Sequence, residues 1–154
     1  MIKLSRMADY GVVLMTQFAR DADEMKTAPD MALSSGLPAP TVSKILKLLT
    51  QGGLLESQRG TKGGYTLARD PAGISVADII GALDGPIALT ECMTGDGVIC
   101  EIEALCPTRT NWKKINEAVV SALEGISLAD MTPQMAPFVP HRPYEPAATA
   151  AAGE

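Results

Sequence analysis

Apolar residues recur at intervals of three and four positions near the start of the chain, as they do on the buried face of an amphipathic helix. The recurring positions are Met7, Gly11, Leu14, Met15 and Phe18. Ser5 is a suitable N-cap for this helix, and the acidic stretch after Arg20 breaks the pattern. The sequence therefore predicts a first helix that runs from Ser5 to about Arg20.

Two further helices are predicted before the middle of the chain. The first extends from Ala28 to Leu33, because Gly36 follows it and glycine ends helices readily. The second begins at Thr41, since the prolines just before it permit only a helix start. Its apolar positions are Val42, Ile45, Leu46, Leu48 and Leu49. Two glycines after Gln51 end this third helix.

Hydroxyl groups and amines occupy the other face of the third helix, at Thr41, Ser43, Lys44 and Lys47. Two helices that are joined by a tight, glycine-containing turn are typical of a helix-turn-helix. In that motif the second helix enters the major groove of DNA. We therefore expect the third helix to be a recognition helix.

A β-hairpin is predicted next, with strands from Leu54 to Gln58 and from Tyr65 to Ala68 around a glycine-rich turn. Arg59 and Lys62 lie at its tip, where they can reach phosphates or enter a minor groove. A basic hairpin after a helix-turn-helix is a wing; the alternative is an ordinary solvated hairpin. A nucleotide-binding loop is disfavoured, because such a loop follows a strand and opens a helix.

The second half of the chain predicts two more helices. One is capped by Ser75 and ends at Asp84, and we expect it to pack beneath the wing. The other runs from about Thr110 to Glu124. Its apolar stripe consists of Trp112, Ile115, Val119, Ala122, Leu123 and Ile126. A stripe this wide needs a partner, and a second copy of the chain is preferred over the chain's own core.

Charge is unevenly distributed along the 154 residues, although the net value is −5. Between positions 41 and 70 the chain carries five Lys or Arg side chains and two acidic ones, whereas positions 91 to 103 carry four acidic side chains and no basic one. The first segment can meet phosphate and the second would repel it. With 46% hydrophobic residues, the chain suits one domain with appendages.

All three cysteines lie close together, with seven residues between Cys92 and Cys100 and five between Cys100 and Cys106. Three thiols cannot all form disulfides within one chain, whereas clustered thiolates suit zinc or an iron–sulfur cluster. The sequence shows no signal peptide and no apolar run of the ~20 residues that a membrane helix needs, which predicts a cytoplasmic protein with reduced thiols. The alternative is three unrelated cysteines.

The winged pattern and the cysteines together resemble the IscR/NsrR family of winged-helix iron–sulfur regulators, and within it most of all the SUF-system assembly regulators. The stretches that carry this resemblance are KLSRMADYG, PTVSKILKLL, RGTKGGYTLARDP, LDGPIALTEC, the cysteine cluster and NWKKINEAVVSALEGISLADM. The resemblance covers residues 1 to about 131. Only the end of the chain falls outside it.

The resemblance implies a homodimer that crosses at the long helix, binds a palindromic operator in double-stranded DNA and carries a 2Fe-2S or 4Fe-4S cluster in each cysteine loop. Cys92, Cys100 and Cys106 match the family's cluster-binding positions, although the first gap of seven residues departs from the usual five. IscR-like members have a histidine after the third cysteine, which this sequence lacks. NsrR-like members use an aspartate of the partner subunit, and Asp9 matches that position. Glu101 and Glu103 are further candidates.

The implied function is that of a transcriptional regulator that senses the cluster and represses genes for cluster assembly by the SUF system. Bases and backbone are expected to meet Thr41, Ser43 and Lys44, and phosphate or groove edges to meet Lys47, Arg59, Lys62 and Tyr65. A thiol-based redox switch, a nitric-oxide sensor of the same fold and a structural zinc site stay open. An enzyme is disfavoured, because no nucleophile, base and orienting partner assemble.

These expectations divide the chain into four parts. A mainly α-helical winged helix-turn-helix domain with a small β-hairpin occupies residues 1–86, and the cysteine-bearing cluster loop occupies 87–107. The dimerisation helix follows at 108–131. Residues 132–154 are rich in proline and alanine and predict a disordered tail. This tail holds the single histidine, His141, which we therefore discount as a ligand.

Overall fold

The computed structural model describes residues 3–60, 63–94 and 105–132. Its helices and strands follow the predicted order. They are α1 (Arg6–Arg20), α2 (Ala28–Ser35), α3 (Ala39–Gln51), β1 (Leu55–Gln58), β2 (Gly64–Leu67), α4 (Val76–Asp84), α5 (Arg109–Glu124) and α6 (Leu128–Met131). Short 3₁₀ turns cover Pro71–Gly73 and Glu91–Met93. The architecture is mainly helical with one antiparallel hairpin, as predicted.

Side-chain caps fix the start of most of these helices. Ser5 accepts a hydrogen bond from the Ala8 N–H, as predicted for the N-cap of α1. Gly36 adopts the left-handed conformation, with φ of 69°, that ends α2. In α3 the first turn begins at Ala39, two residues before the predicted start. Because the first helical N–H groups need no intrahelical partner, proline is accepted there.

The main core lies between α1, α3 and α4, which contribute side chains that are fully buried or nearly so. These are Leu14, Met15 and Phe18 of α1, Val42, Ile45, Leu46 and Leu49 of α3, and Ile79 of α4. α4 therefore packs against α1 and α3. The sequence analysis had predicted that α4 packs beneath the wing. Its apolar face is instead buried in the core that it shares with α1 and α3.

The hairpin is braced along the free edge of its second strand. β1 pairs with β2 so that Leu55 lies opposite Leu67 and Gln58 lies opposite Gly64. Tyr65 then exchanges two backbone hydrogen bonds with Lys26, at 2.9 and 3.0 Å. The connection between α1 and α2 thus adds a single bridge to the free edge of β2, and it restrains the direction in which the hairpin leaves the core.

The chain returns to the core after α5 through α6, which the sequence pattern did not predict. Ser127 and Asp130 form a capping box at its start. The Leu128 side chain is fully buried, and the Leu128 N–H donates to the Ile74 carbonyl at 2.7 Å. Although α6 is only four residues long, it fastens the end of α5 to the main core.

A second, smaller apolar cluster joins this domain to α5. Ala8, Val76 and Ile80 form its buried part, and Ile87 and Leu123 pack against them. The connection after α4 and the last turn of α5 therefore meet on the same surface. Within the part of the chain that the structure describes, no helix has the length and apolar character needed to cross a bilayer.

Candidate functional site

One face of α3 is free to approach DNA. Ser43, Lys44 and Lys47 are exposed, and Thr41 is half-buried beside them. Because the four apolar side chains on the other face are fully buried, the helix cannot rotate without exposing the core. The structure thus places all four residues that were predicted on the recognition helix along one accessible surface.

The leading edge of this helix is apolar, which sequence reasoning did not use. Ala39 and Pro40 are exposed in the first turn. The N–H groups of Thr41 and Val42 both donate to the Pro38 carbonyl, at 2.9 and 3.1 Å, and proline itself has no N–H. These N–H groups are therefore already paired, and the exposed Ala39 and Pro40 give the start of α3 an apolar surface. The sequence signal for this apolar start of α3 was the pair of prolines, Pro38 and Pro40.

Two predicted site residues of the hairpin lie within the described structure, the cation Arg59 and the aromatic Tyr65. Arg59 is exposed directly after β1, whereas Lys62 at the predicted tip lies outside the described residues. Tyr65 is half-buried and packs against the main core. Its backbone bonds to Lys26 give it a structural role along the free edge of β2, and its predicted contact with DNA stays a prediction.

An ion-pair network holds the connection between α1 and α2, which supports the hairpin. The Lys26 Nζ lies 2.9 Å from Asp21 Oδ2 and 3.1 Å from Glu24 Oε2. Burial opposes the charge on Lys26, but the hydrogen bonds to Asp21 and Glu24 outweigh this effect and raise its pKa. The hydrogen bond from Lys26 lowers the pKa of Asp21. Lys26 is therefore committed to the protein rather than to DNA.

The first cysteine lies on a turn that contacts α5. Cys92 is half-buried within the 3₁₀ turn Glu91–Met93, and its sulfur lies 3.2 Å from the Thr90 hydroxyl. This turn packs against α5. A cleft of about 320 Å³ between them is lined by Met93, Arg109, Thr110 and Lys113. Two cations thus border the cleft next to this cysteine.

The third cysteine lies just before the start of α5. Cys106 is half-buried, and its sulfur lies 3.5 Å from the Thr108 hydroxyl. That hydroxyl lowers the pKa of the Cys106 thiol, with help from the backbone N–H groups of Thr108 and Arg109 and against the opposing effect of burial. The thiolate, which is the form that binds metals and reacts with oxidants, is thereby favoured.

The predicted ligand set is only partly described. Cys100, Glu101 and Glu103 lie outside the described residues, whereas Asp9 is exposed on the first turn of α1. Among the residues that can be described, no three His, Cys, Asp or Glu side chains come close enough to hold a metal ion. The structure therefore brings two cysteine-bearing segments to one end of α5, and the role of Asp9 stays a prediction.

The apolar stripe of α5 faces outward along much of its length. The exposed fractions of Trp112, Ile115 and Ile126 are 40%, 46% and 43%. Val119 and Leu123 are half-buried instead, because they lie near the end of α4. The stripe is thus divided between the chain's own α4 and a surface that a second subunit can cover.

A helix-turn-helix, a hairpin braced against its side and exposed cations on both define a winged-helix, DNA-binding transcription regulator. The family model that matches is Rrf2, described as iron-dependent transcriptional regulators, and it covers residues 4–134. The chain belongs to the Rrf2 family.

Similar proteins agree with this assignment. The transcriptional regulator IscR of Aliivibrio salmonicida is 30% identical, over 84% of this chain and 77% of its own length. Among solved structures, CymR, the global cysteine regulator of B. subtilis, has a TM-score of 0.69 and 30% identity, with 86% of this chain and 97% of that chain covered. T. potens IscR has a TM-score of 0.63 and 30% identity, with 84% and 85% covered.

These findings confirm the resemblance to the IscR type of winged-helix regulator and the predicted fold class. They also confirm that the chain is not an enzyme, because its relatives carry the names of transcription regulators. Relatives of both the IscR and the CymR type are found, so the signal to which the chain responds is a separate question.

Proposed function

We propose that this protein is a cytoplasmic, homodimeric regulator whose grip on a palindromic operator depends on an iron–sulfur cluster, and that it represses genes for cluster assembly. The observation that carries this proposal is the convergence of the Cys92 turn and the Cys106 segment at the start of α5. Because the chain belongs to a family described as iron-dependent regulators, we interpret this pair of thiols as ligands of an iron–sulfur cluster.

The chemistry of these donors fits such a cluster. Cys92 and Cys106 are half-buried and not joined in a disulfide, and hydrogen bonds stabilise the thiolate of Cys106. Arg109 and Lys113 line the neighbouring cleft, where they would offset the negative charge of several thiolates. Cys100 would supply the third sulfur, and Asp9 of the partner subunit the fourth ligand, with Glu101 or Glu103 as alternatives. When bound, the cluster supplies a centre that responds to oxidants and to iron supply.

The chain's own residues would carry the DNA contact. Ser43 and Lys44 would meet base edges and backbone in the major groove, while Lys47, Arg59 and Lys62 would meet phosphates. In a dimer, the two α3 helices must reach grooves about one turn, roughly 34 Å, apart. A ligand at the cysteines shifts DNA affinity only as far as it favours the subunit arrangement with that spacing.

Anaerobic reconstitution tests this proposal. The wild-type protein should acquire visible absorption and bound iron, and a Cys92→Ala variant should lose both while retaining the α-helical circular dichroism. DNA binding should then be measured on a duplex that the protein selects from a randomised library, before and after chelation of the iron. A protein that takes up no iron, or that binds the duplex equally in both states, would contradict cluster sensing.

A thiol-based switch is the second candidate, because hydrogen bonds favour the Cys106 thiolate and a CymR structure is similar to this one. Such a switch would change its DNA affinity after treatment with a mild oxidant and would recover with dithiothreitol, without visible absorption at any stage. Zinc found by elemental analysis, together with indifference to oxidants, would instead indicate a structural metal site.

A further inference from the structure

Asn116 joins the segment before the first cysteine to α5. Its side-chain Nδ2 donates to the Ile87 carbonyl at 3.1 Å, and its Oδ1 accepts from the Leu89 N–H at 2.9 Å. One half-buried amide therefore binds two backbone groups of the same short segment. An amide side chain carries a donor and an acceptor on adjacent atoms, and this arrangement uses both.

The location of this pair of hydrogen bonds gives it a role. Leu89 lies three residues before Cys92, and Cys106 lies three residues before the first residue of α5. Since Asn116 lies on α5 itself, it fixes the approach to Cys92 relative to the helix that begins after Cys106. Nothing in the sequence pattern marked Asn116, because a polar residue on a helix surface is usually only solvated.

The same segment also contacts the DNA-binding domain. Ile87 offers its carbonyl to Asn116, while its side chain packs against the small cluster formed by Ala8, Val76 and Ile80. Leu123, two turns further along α5, packs against that cluster too. A movement of the segment before Cys92 thus acts on α5 and on α4 together.

We propose that Asn116 is a positioning residue, which holds the Cys92 turn in register with the start of α5 and thereby sets how firmly the cysteines retain a bound metal group. The part that concerns retention rests on the proposed function. The part that concerns the position of Cys92 does not, since both hydrogen bonds join atoms of the protein alone.

The experiment uses full-length Asn116→Leu and Asn116→Asp, with Ser121→Leu as the matched control on an exposed position of the same helix. In the metal-free protein, the rate of Cys92 alkylation and the hydrogen exchange of residues 86–94 are measured by mass spectrometry. Each lost hydrogen bond should speed both by about fivefold. Asn116→Leu should therefore show about 25-fold and Asn116→Asp, which retains an acceptor for Leu89, at least fivefold.

A second arm measures the half-life of the reconstituted visible absorption in air. Asn116→Leu should shorten it, and Ser121→Leu should not. If Asn116→Leu leaves alkylation and exchange at the wild-type rates, the positioning role is wrong whatever the metal content. If those rates rise although the wild type binds no iron, the position of Cys92 depends on Asn116 as proposed and it is the proposed function that fails. Asn116→Asp decides the question should the leucine variant not fold.

Discussion

Gly64 is the residue whose substitution tests the bridge between the wing and Lys26 most directly. A Cβ added there would lie 2.7 Å from Met25 Cγ and 2.9 Å from the Lys26 carbonyl oxygen. The methionine can rotate away, but the carbonyl belongs to the backbone that pairs with Tyr65. Gly64→Ala should therefore separate the hairpin from the Lys26 backbone that supports it.

The expected cost follows from the contacts that are lost. Two backbone hydrogen bonds contribute about 1 kcal/mol each, and overpacking typically costs about 1–3 kcal/mol. Because partial separation relieves the clash, we expect about 2 kcal/mol in total rather than the sum. At about 4 °C per kcal/mol for a chain of this size, the midpoint of thermal unfolding should fall by roughly 8 °C.

Urea unfolding of the metal-free protein, followed by circular dichroism, measures the lost free energy, a thermal scan measures the fall in the midpoint, and Gly81→Ala is the control. Gly81 is exposed within α4, and a Cβ there would meet nothing within 4 Å. That variant should gain up to about 1 kcal/mol through helix propensity. If Gly64→Ala unfolds like the wild type and the Lys26 and Tyr65 amides stay protected from hydrogen exchange, the hairpin is not braced as described.

Three further changes test other parts of the molecule. Lys47→Ala should reduce the slope of log affinity against log salt by about one, since it removes one phosphate contact; an unchanged slope on the selected duplex would show that Lys47 does not meet phosphate. In the metal-free protein, Thr108→Val should shift the pH profile of Cys106 alkylation to higher pH and slow the reaction at neutral pH. The reason is that the pKa of the Cys106 thiol, which the Thr108 hydroxyl lowers, would rise again. If the profile does not shift, the hydroxyl is not the cause of the lowered pKa. Ile115→Asp should give a monomer in sedimentation and Ser121→Asp should not; equal sedimentation of the two would place the dimer contact elsewhere.

Much of the DNA-binding domain could be predicted because its signals are local. Ser5, Gly36 and Ser75 each mark a helix end by a hydrogen bond or a backbone conformation within a few residues. The apolar period of α3 likewise predicted which face is buried. Local rules of this kind need no knowledge of the fold.

Features that depend on distant parts of the chain were not predicted. The bridge between Lys26 and Tyr65 joins segments that no short pattern relates. Asn116 reads as an ordinary polar helix residue until Ile87 and Leu89 are placed beside it. The sequence showed only that the cysteines lie close together along the chain, whereas tertiary packing brings the Cys92 turn to α5.

The buried Leu128 has a practical meaning for any shortened form of the protein. A chain that stops after Glu124 ends with the long helix, yet it lacks a side chain that fills the core and the backbone group that binds Ile74. A chain that stops after Thr132 keeps both. A truncated form of the protein should therefore extend beyond Leu128, which lies after the long helix.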